Sequence, residues 1–173
     1  VPRCRWRTSP SMLFCDTLRV GSEYHDERLN DFWPPVAGSM MMGPNTFVNI
    51  NHAHRNRLGT FAELQSRWTD QLTTLVGVRN DQVWMNTGDV QPYSTNMMNM
   101  ADAMAARAFN AADHGRHDDN WGATALLRYA PSANVDLEIG YARKAQSPNI
   151  YERYTWGRGA MASQMIGWYG DGN

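Results

Sequence analysis

The chain is short of cysteine, of net charge and of long apolar runs, and each shortage removes a class of protein. Its 173 residues include two cysteines, Cys4 and Cys15. Their spacing is neither CxxC nor that of zinc ligands, so they build no disulfide framework or zinc finger. A single bridge between them stays open in an oxidising compartment. A formal net charge of -1 supplies no long-range attraction to nucleic acid or anionic lipid. No apolar run approaches the roughly 18 residues of a membrane-spanning helix. A membrane β-barrel is untouched by that exclusion, because its strands alternate and never give such a run. No stretch has the pattern of a signal peptide, no catalytic constellation stands out, and an enzyme is not expected.

What the chain has instead is aromatic residues, glycine and methionine: seven Trp, seven Tyr, fourteen Gly and eleven Met. Residues 1–11 are basic and irregular and predict no element. From there a period of two recurs, the sign of half-buried strands. It predicts strands near 12–24, 57–68, 72–84, 120–129 and 135–144. In the last, Val135, Leu137, Ile139 and Tyr141 share one face, while Asp136, Glu138, Gly140 and Ala142 share the other. Phe61 and Leu126 interrupt otherwise polar faces. Residues 25–56 read as a long loop broken by Pro34–Pro35 and Gly43–Pro44. A second long insert, 85–118, permits a short helix with Met97, Met100, Met104 and Ala108 at helical spacing. Ser147–Pro148 ends regular pairing in the final tract.

Connections therefore alternate long and tight, which fits an all-β antiparallel meander with short turns at one rim and long loops at the other. That is the rhythm of a transmembrane β-barrel, with periplasmic turns and extracellular loops. Trp121 and Tyr129, eight residues apart, bracket Ala123, Ala125 and Leu127 on one face. At about 3.3 Å per residue and a tilt near 40° this spans roughly 20 Å, close to the ~25 Å apolar band of such barrels. Trp68 and Tyr141 also fit strand ends near an interface. A soluble, secreted β-rich module that binds metal or a partner stays open, since aromatics also end strands in soluble sheets.

Several long stretches carry a family resemblance: DFWPPVAGSMMMGPNTF (31–47), HRNRLGTFAE (54–63), NDQVWMNTGDVQPY (80–93), FNAADHGR (109–116), YARKAQSPNIYERYTW (141–156) and WYGDGN (168–173). In order and extent they resemble the TonB-dependent outer-membrane receptors, and within them the copper-receptor group. The resemblance implies a large barrel of about twenty-two strands in a Gram-negative outer membrane, surrounded by lipid. It also implies a lumen plug, energy from the TonB complex through an N-terminal region, and a metal or metal chelate as cargo. This chain then corresponds to an internal slice of the barrel, residues 12–173, with 1–11 a shifted or damaged end. A siderophore–iron complex is the alternative cargo on the same architecture.

Candidate ligands follow from donor chemistry. Soft thioethers favour Cu(I), and imidazole accepts copper in either oxidation state. Met40, Met41 and Met42 are consecutive in one expected loop; Met97, Met98, Met100 and Met104 lie in the other; Met161 and Met165 are in the final tract. Methionine also fills irregular packing, which is the competing account. His52-x-His54 puts two imidazoles on one face of an extended segment. His114 and His117 lie among Asp113, Asp118 and Asp119, a run that suits a metal or acid–base site as well as a solvated loop. Arg143, Lys144, Arg153 and Arg158, among aromatics, suit an anionic chelate. No resident cofactor is implied; copper enters only as a transported ligand.

Overall fold

A computed structural model of the chain describes residues 3–6 and 13–156, with side chains from Thr17 onward. Expectations for Arg158, Met161, Met165 and the stretch 168–173 lie outside the described residues. Six strands follow in chain order: β1 (Arg3–Trp6), β2 (Leu13–Trp33), β3 (Phe47–Arg67), β4 (Leu72–Asn86), β5 (Arg116–Ser132) and β6 (Val135–Arg143). They form one sheet in that same order, the antiparallel meander that the alternation predicts. Two helices, α1 (Met100–Asn110) and α2 (Ile150–Tyr154), lie in the connections, and a 3-10 turn over Met97–Asn99 leads into α1. No helix among the described residues is long and apolar enough to cross a membrane.

Several boundaries differ from expectation. β1 lies within 1–11, where no element was expected, and its register makes Cys4 and Cys15 Cα partners. The loop expected over 25–56 shrinks to residues 34–46. Pro34–Pro35 do end β2, as prolines that cannot donate to a ladder should. The polar run His25–Asn30 stays paired without an apolar alternation to announce it. β2 and β3 each run 21 residues, about 70 Å at ~3.3 Å per residue, where roughly 9–11 residues suffice to cross a bilayer. Helix α1 forms in the second insert, but Met97, Met100 and Met104 face solvent while Ala103 and Ala106 are buried. Helix α2 stands where only a loop was expected.

The chain divides into two compact units, with β2, β3, β4 and β5 each contributing residues to both. The first comprises Val1–Tyr24, Leu58–Gln82 and Asp119–Gln146. Among its described residues the buried positions are Gly59 and Ser66, so no apolar side chain is buried. Leu18, Val20, Leu64, Val76, Trp121, Leu137 and Ile139 are all exposed. Cross-strand pairs on this open face include Leu127–Ile139 and Tyr129–Leu137. The other face carries charge. Arg19 meets Glu63 at 2.5 Å, Arg79 meets Glu23 at 2.5 Å and Asp81 at 2.7 Å, and Arg128 pairs with Asp136.

The two apolar interruptions of this polar face have a local cause. The Phe61 ring lies over Gly21, where an added Cβ would come within 2.6 Å of it. Leu126 covers Gly140 in the same way, at 3.2 Å. A large side chain on one strand thus shields the bare backbone of a glycine on a neighbouring strand. The turns are tight. Thr69 Oγ1 accepts from the backbone N–H groups of Gln71 and Leu72, and the Trp68 indole donates to Thr74 Oγ1 at 2.9 Å. Ser132 and Val135 are register partners, leaving two residues between β5 and β6. A soluble domain would need a second layer over the apolar face. The described residues of this unit supply none.

The second unit, His25–Arg57, Val83–Asp118 and Ser147–Asn173, holds every buried apolar side chain among the described residues. One cluster centres on Phe47, which contacts Trp33, Tyr93 and Trp156 at ring separations of 5.2, 5.3 and 5.1 Å, the last stacked. A second packs Ile50, Ala53, Val83, Met85, Ile150 and Tyr154. In β3, Asn49 and Ile50 are both fully buried although consecutive. Two residues on, His52 adopts a positive φ of 48°, a conformation that costs a non-glycine residue of order 1–3 kcal/mol.

Candidate functional site

Two connections, residues 34–46 and 87–115, carry the expected methionines and meet within the second unit. In the first, Ser39 Oγ accepts from the N–H groups of Met41 at 3.3 Å and Met42 at 3.0 Å, and Val36 N–H donates to the Met42 carbonyl at 2.7 Å. This small turn fixes the main chain of Met40–Met42. In the second, the Asn96 side chain caps the 3-10 turn by accepting from Asn99 N–H at 3.0 Å. The segments are then joined by two amides. Asn96 Nδ2 donates to the Met40 carbonyl at 3.2 Å, and Asn99 Nδ2 donates to the Met41 carbonyl at 2.9 Å and to Ser94 Oγ at 2.8 Å. Asn99 is itself buried, so its bonds are shielded from water and each is worth about 1 kcal/mol net.

The clamp uses main-chain carbonyls and leaves the thioethers outward. Met40, Met41, Met97, Met98, Met100 and Met104 are between 45% and 91% exposed. Core filling therefore does not account for these six. Met42 is different: it packs against the Phe47 cluster. Asn96 and Asn99 were not among the expected site residues. The signal that could have found them is Asn96 as an N-cap three residues before Asn99, next to the Met-rich turn.

The histidines separate. His52 and His54 line a groove of about 550 Å³ together with Asp26, Arg28, Asn30 and Asn56. His52 Nδ1 lies 2.6 Å from Asn51 Oδ1, and its backbone N–H donates to Asn30 Oδ1 at 3.3 Å. His114 points both ring nitrogens at backbone carbonyls, Thr87 at 3.1 Å and Phe109 at 2.7 Å, and stacks on the Phe109 ring. His117 stacks on Trp84 at 5.3 Å. Among the described residues no group of three or more His, Cys, Asp or Glu could hold a metal ion.

The segment 147–156 braces this cluster. A reciprocal capping box starts α2: Asn149 Oδ1 accepts from Glu152 N–H, and Glu152 Oε2 accepts from Asn149 N–H, each at 2.8 Å. Arg153, nearly buried, pairs with Asp118 at 2.8 Å, which commits one cation suggested for chelate binding. The Tyr154 hydroxyl donates to the His114 carbonyl at 2.7 Å, and burial pushes its pKa up to about 12. Burial also raises Tyr93, and raises Tyr151 with a further contribution from Asp31. The Trp156 indole donates to the carbonyl of buried Asn49 at 2.9 Å. Among the described residues of this tract, Tyr154 and Trp156 brace the loop.

Comparison with known proteins agrees with the sheet. Residues 6–173 match a family model described as TonB dependent receptor-like, beta-barrel. No curated protein and no solved structure matches the chain. The chain belongs to the β-barrel family of the TonB-dependent receptors, transporters of the Gram-negative outer membrane.

Proposed function

We propose that this chain is part of the barrel wall of a TonB-dependent receptor that captures copper, as Cu(I), on methionines of its external loops. The observation that carries the cargo is the set of exposed thioethers on the 34–46 and 97–104 segments, whose main chains are clamped together. Thioether donors select a soft monovalent ion over ferric or other hard cations. The wall reading is supported by a single sheet layer with one open apolar face and one charged face. On this reading the apolar face contacts lipid, the ion-paired face lines the lumen, and the 34–46 and 87–115 connections are extracellular loops. Energy enters from the TonB complex on this reading.

His52 and His54 are a secondary candidate, since both reach one groove with Asp26. His114 and His117 stay third in order on this reading: the ring nitrogens of His114 face the Thr87 and Phe109 carbonyls, and the His117 ring stacks on Trp84. The deciding experiment uses the intact receptor. Competition against a chromogenic Cu(I) chelator should show copper transferred to the protein, and replacing the six exposed methionines with leucine should abolish transfer. A receptor that takes up a ferric chelate and leaves the Cu(I) chelator loaded would replace copper by an iron complex as cargo.

A further inference from the structure

We infer that the methionine platform is an oxidation-sensitive site, in which conversion of its thioethers to sulfoxides by a peroxide switches off metal capture without unfolding the loops. This rests on the Cu(I) reading above. Three observations lead to it. Met40, Met41, Met97, Met98, Met100 and Met104 present their side chains to solvent, with Met97 91% exposed. The clamp joining their segments runs through the amides of Asn96 and Asn99 to the Met40 and Met41 carbonyls, so it does not use sulfur. The remaining described methionines are sheltered: Met85 is 2% exposed, and Met42 packs against the aromatic cluster around Phe47.

The chemistry balances with a peroxide as oxidant. The sulfur lone pair attacks one peroxide oxygen, the O–O bond breaks, an S–O bond forms, and water leaves after proton transfer. Sulfur is oxidised and peroxide reduced. The product is polar, its sulfur no longer offers a soft thioether lone pair, and the change is reversible by methionine sulfoxide reductases. In a packed core such a group would disrupt folding. Here six of the described methionines lie where the added oxygen meets water, and two lie where it would not be tolerated.

The test treats the intact receptor with hydrogen peroxide and maps sulfoxides by peptide mass spectrometry. Cu(I) competition and heat-modifiable gel migration are measured before treatment, after it, and after reductase repair. The inference predicts that the six exposed methionines oxidise first while Met42 and Met85 remain reduced and the barrel stays folded. Cu(I) affinity should fall at least about tenfold, as expected when soft donors are lost, and recover on repair. Full oxidation of the six with unchanged Cu(I) binding overturns the switch. So does oxidation of Met42 and Met85 at the same rate, or loss of fold on oxidation. If the untreated receptor binds no Cu(I), the cargo reading fails first and the switch with it. The sulfoxide map then still reports whether the exposure argument was right.

Discussion

Replacing Trp156 by alanine should open the brace formed by residues 147–156. The indole is 7% exposed, stacks on Phe47 at 5.1 Å and an interplanar angle of 17°, and donates to the Asn49 carbonyl at 2.9 Å. Truncating a buried Trp to Ala costs about 3–5 kcal/mol, and a buried carbonyl left without its donor costs about 1–3 kcal/mol. The two losses overlap, so a total of about 4–6 kcal/mol is reasonable. At 1.4 kcal/mol per tenfold, the open population of the segment should rise by about 10³–10⁴. Hydrogen exchange of the Arg153 and Thr155 amides, which donate to the Asn149 and Tyr151 carbonyls, reports that opening directly. W156F keeps a ring against Phe47 and loses only the donor, and should accelerate exchange by about tenfold, the effect of one hydrogen bond. Exchange at both amides unchanged in W156A would show that Trp156 does not hold the segment, and would refute the bracing account.

Three further outcomes follow from other contacts. A Cβ at Gly59 would come within 2.3 Å of Arg79 Nη2 and 2.7 Å of Asp81 Oδ1, so Gly59→Val should disrupt that ion pair and destabilise by about 1–3 kcal/mol; heat-modifiable migration should occur at lower temperature. Tyr154 is raised to about 12 in the folded protein, above about 10 in an unfolded chain. Its contribution is therefore complete below pH ~10 and is lost as pH climbs toward 12, because the unfolded state then holds fewer protons. Stability of the loop cluster, followed by exchange or proteolysis, should fall over that window in the wild type and fall less steeply in Tyr154→Phe. Asn99→Ala removes donors to the Met41 carbonyl and Ser94 Oγ. It should cost about 1–3 kcal/mol in the local clamp and weaken Cu(I) capture although every methionine remains.

The meander was legible from alternation because the parts of β2 to β6 described in the first unit each have one apolar face, and β6 matches its expected span, 135–144, almost residue for residue; β1 was not legible. The portions of β2 and β3 in the second unit were not legible. Residues such as His25, Asp26, Glu27 and Arg28 are polar on both faces, so nothing in the pattern separates a paired strand from a loop. Helix α1 was legible in position and misleading in face: its Met97, Met100 and Met104 spacing resembles a core stripe, yet the small Ala103 and Ala106 make the close packing contact. Helix α2 hid because its evidence is a capping box rather than an apolar period. The methionines could be named from composition. The meeting of their two segments could not, since it depends on two asparagine side chains reaching across 56 and 58 positions of sequence.

The central claim is that the open apolar face of the first unit meets lipid. Spin labels placed one at a time from Val135 to Ala142 in the intact receptor, reconstituted in bilayers, test it by comparing collision with oxygen and with a water-soluble nickel reagent. The account predicts a period of two: oxygen accessibility should peak at 135, 137, 139 and 141, and nickel accessibility at 136, 138, 140 and 142. Nickel accessibility at Leu137 and Ile139 equal to that at Asp136 and Glu138 would put this face in water and contradict the account.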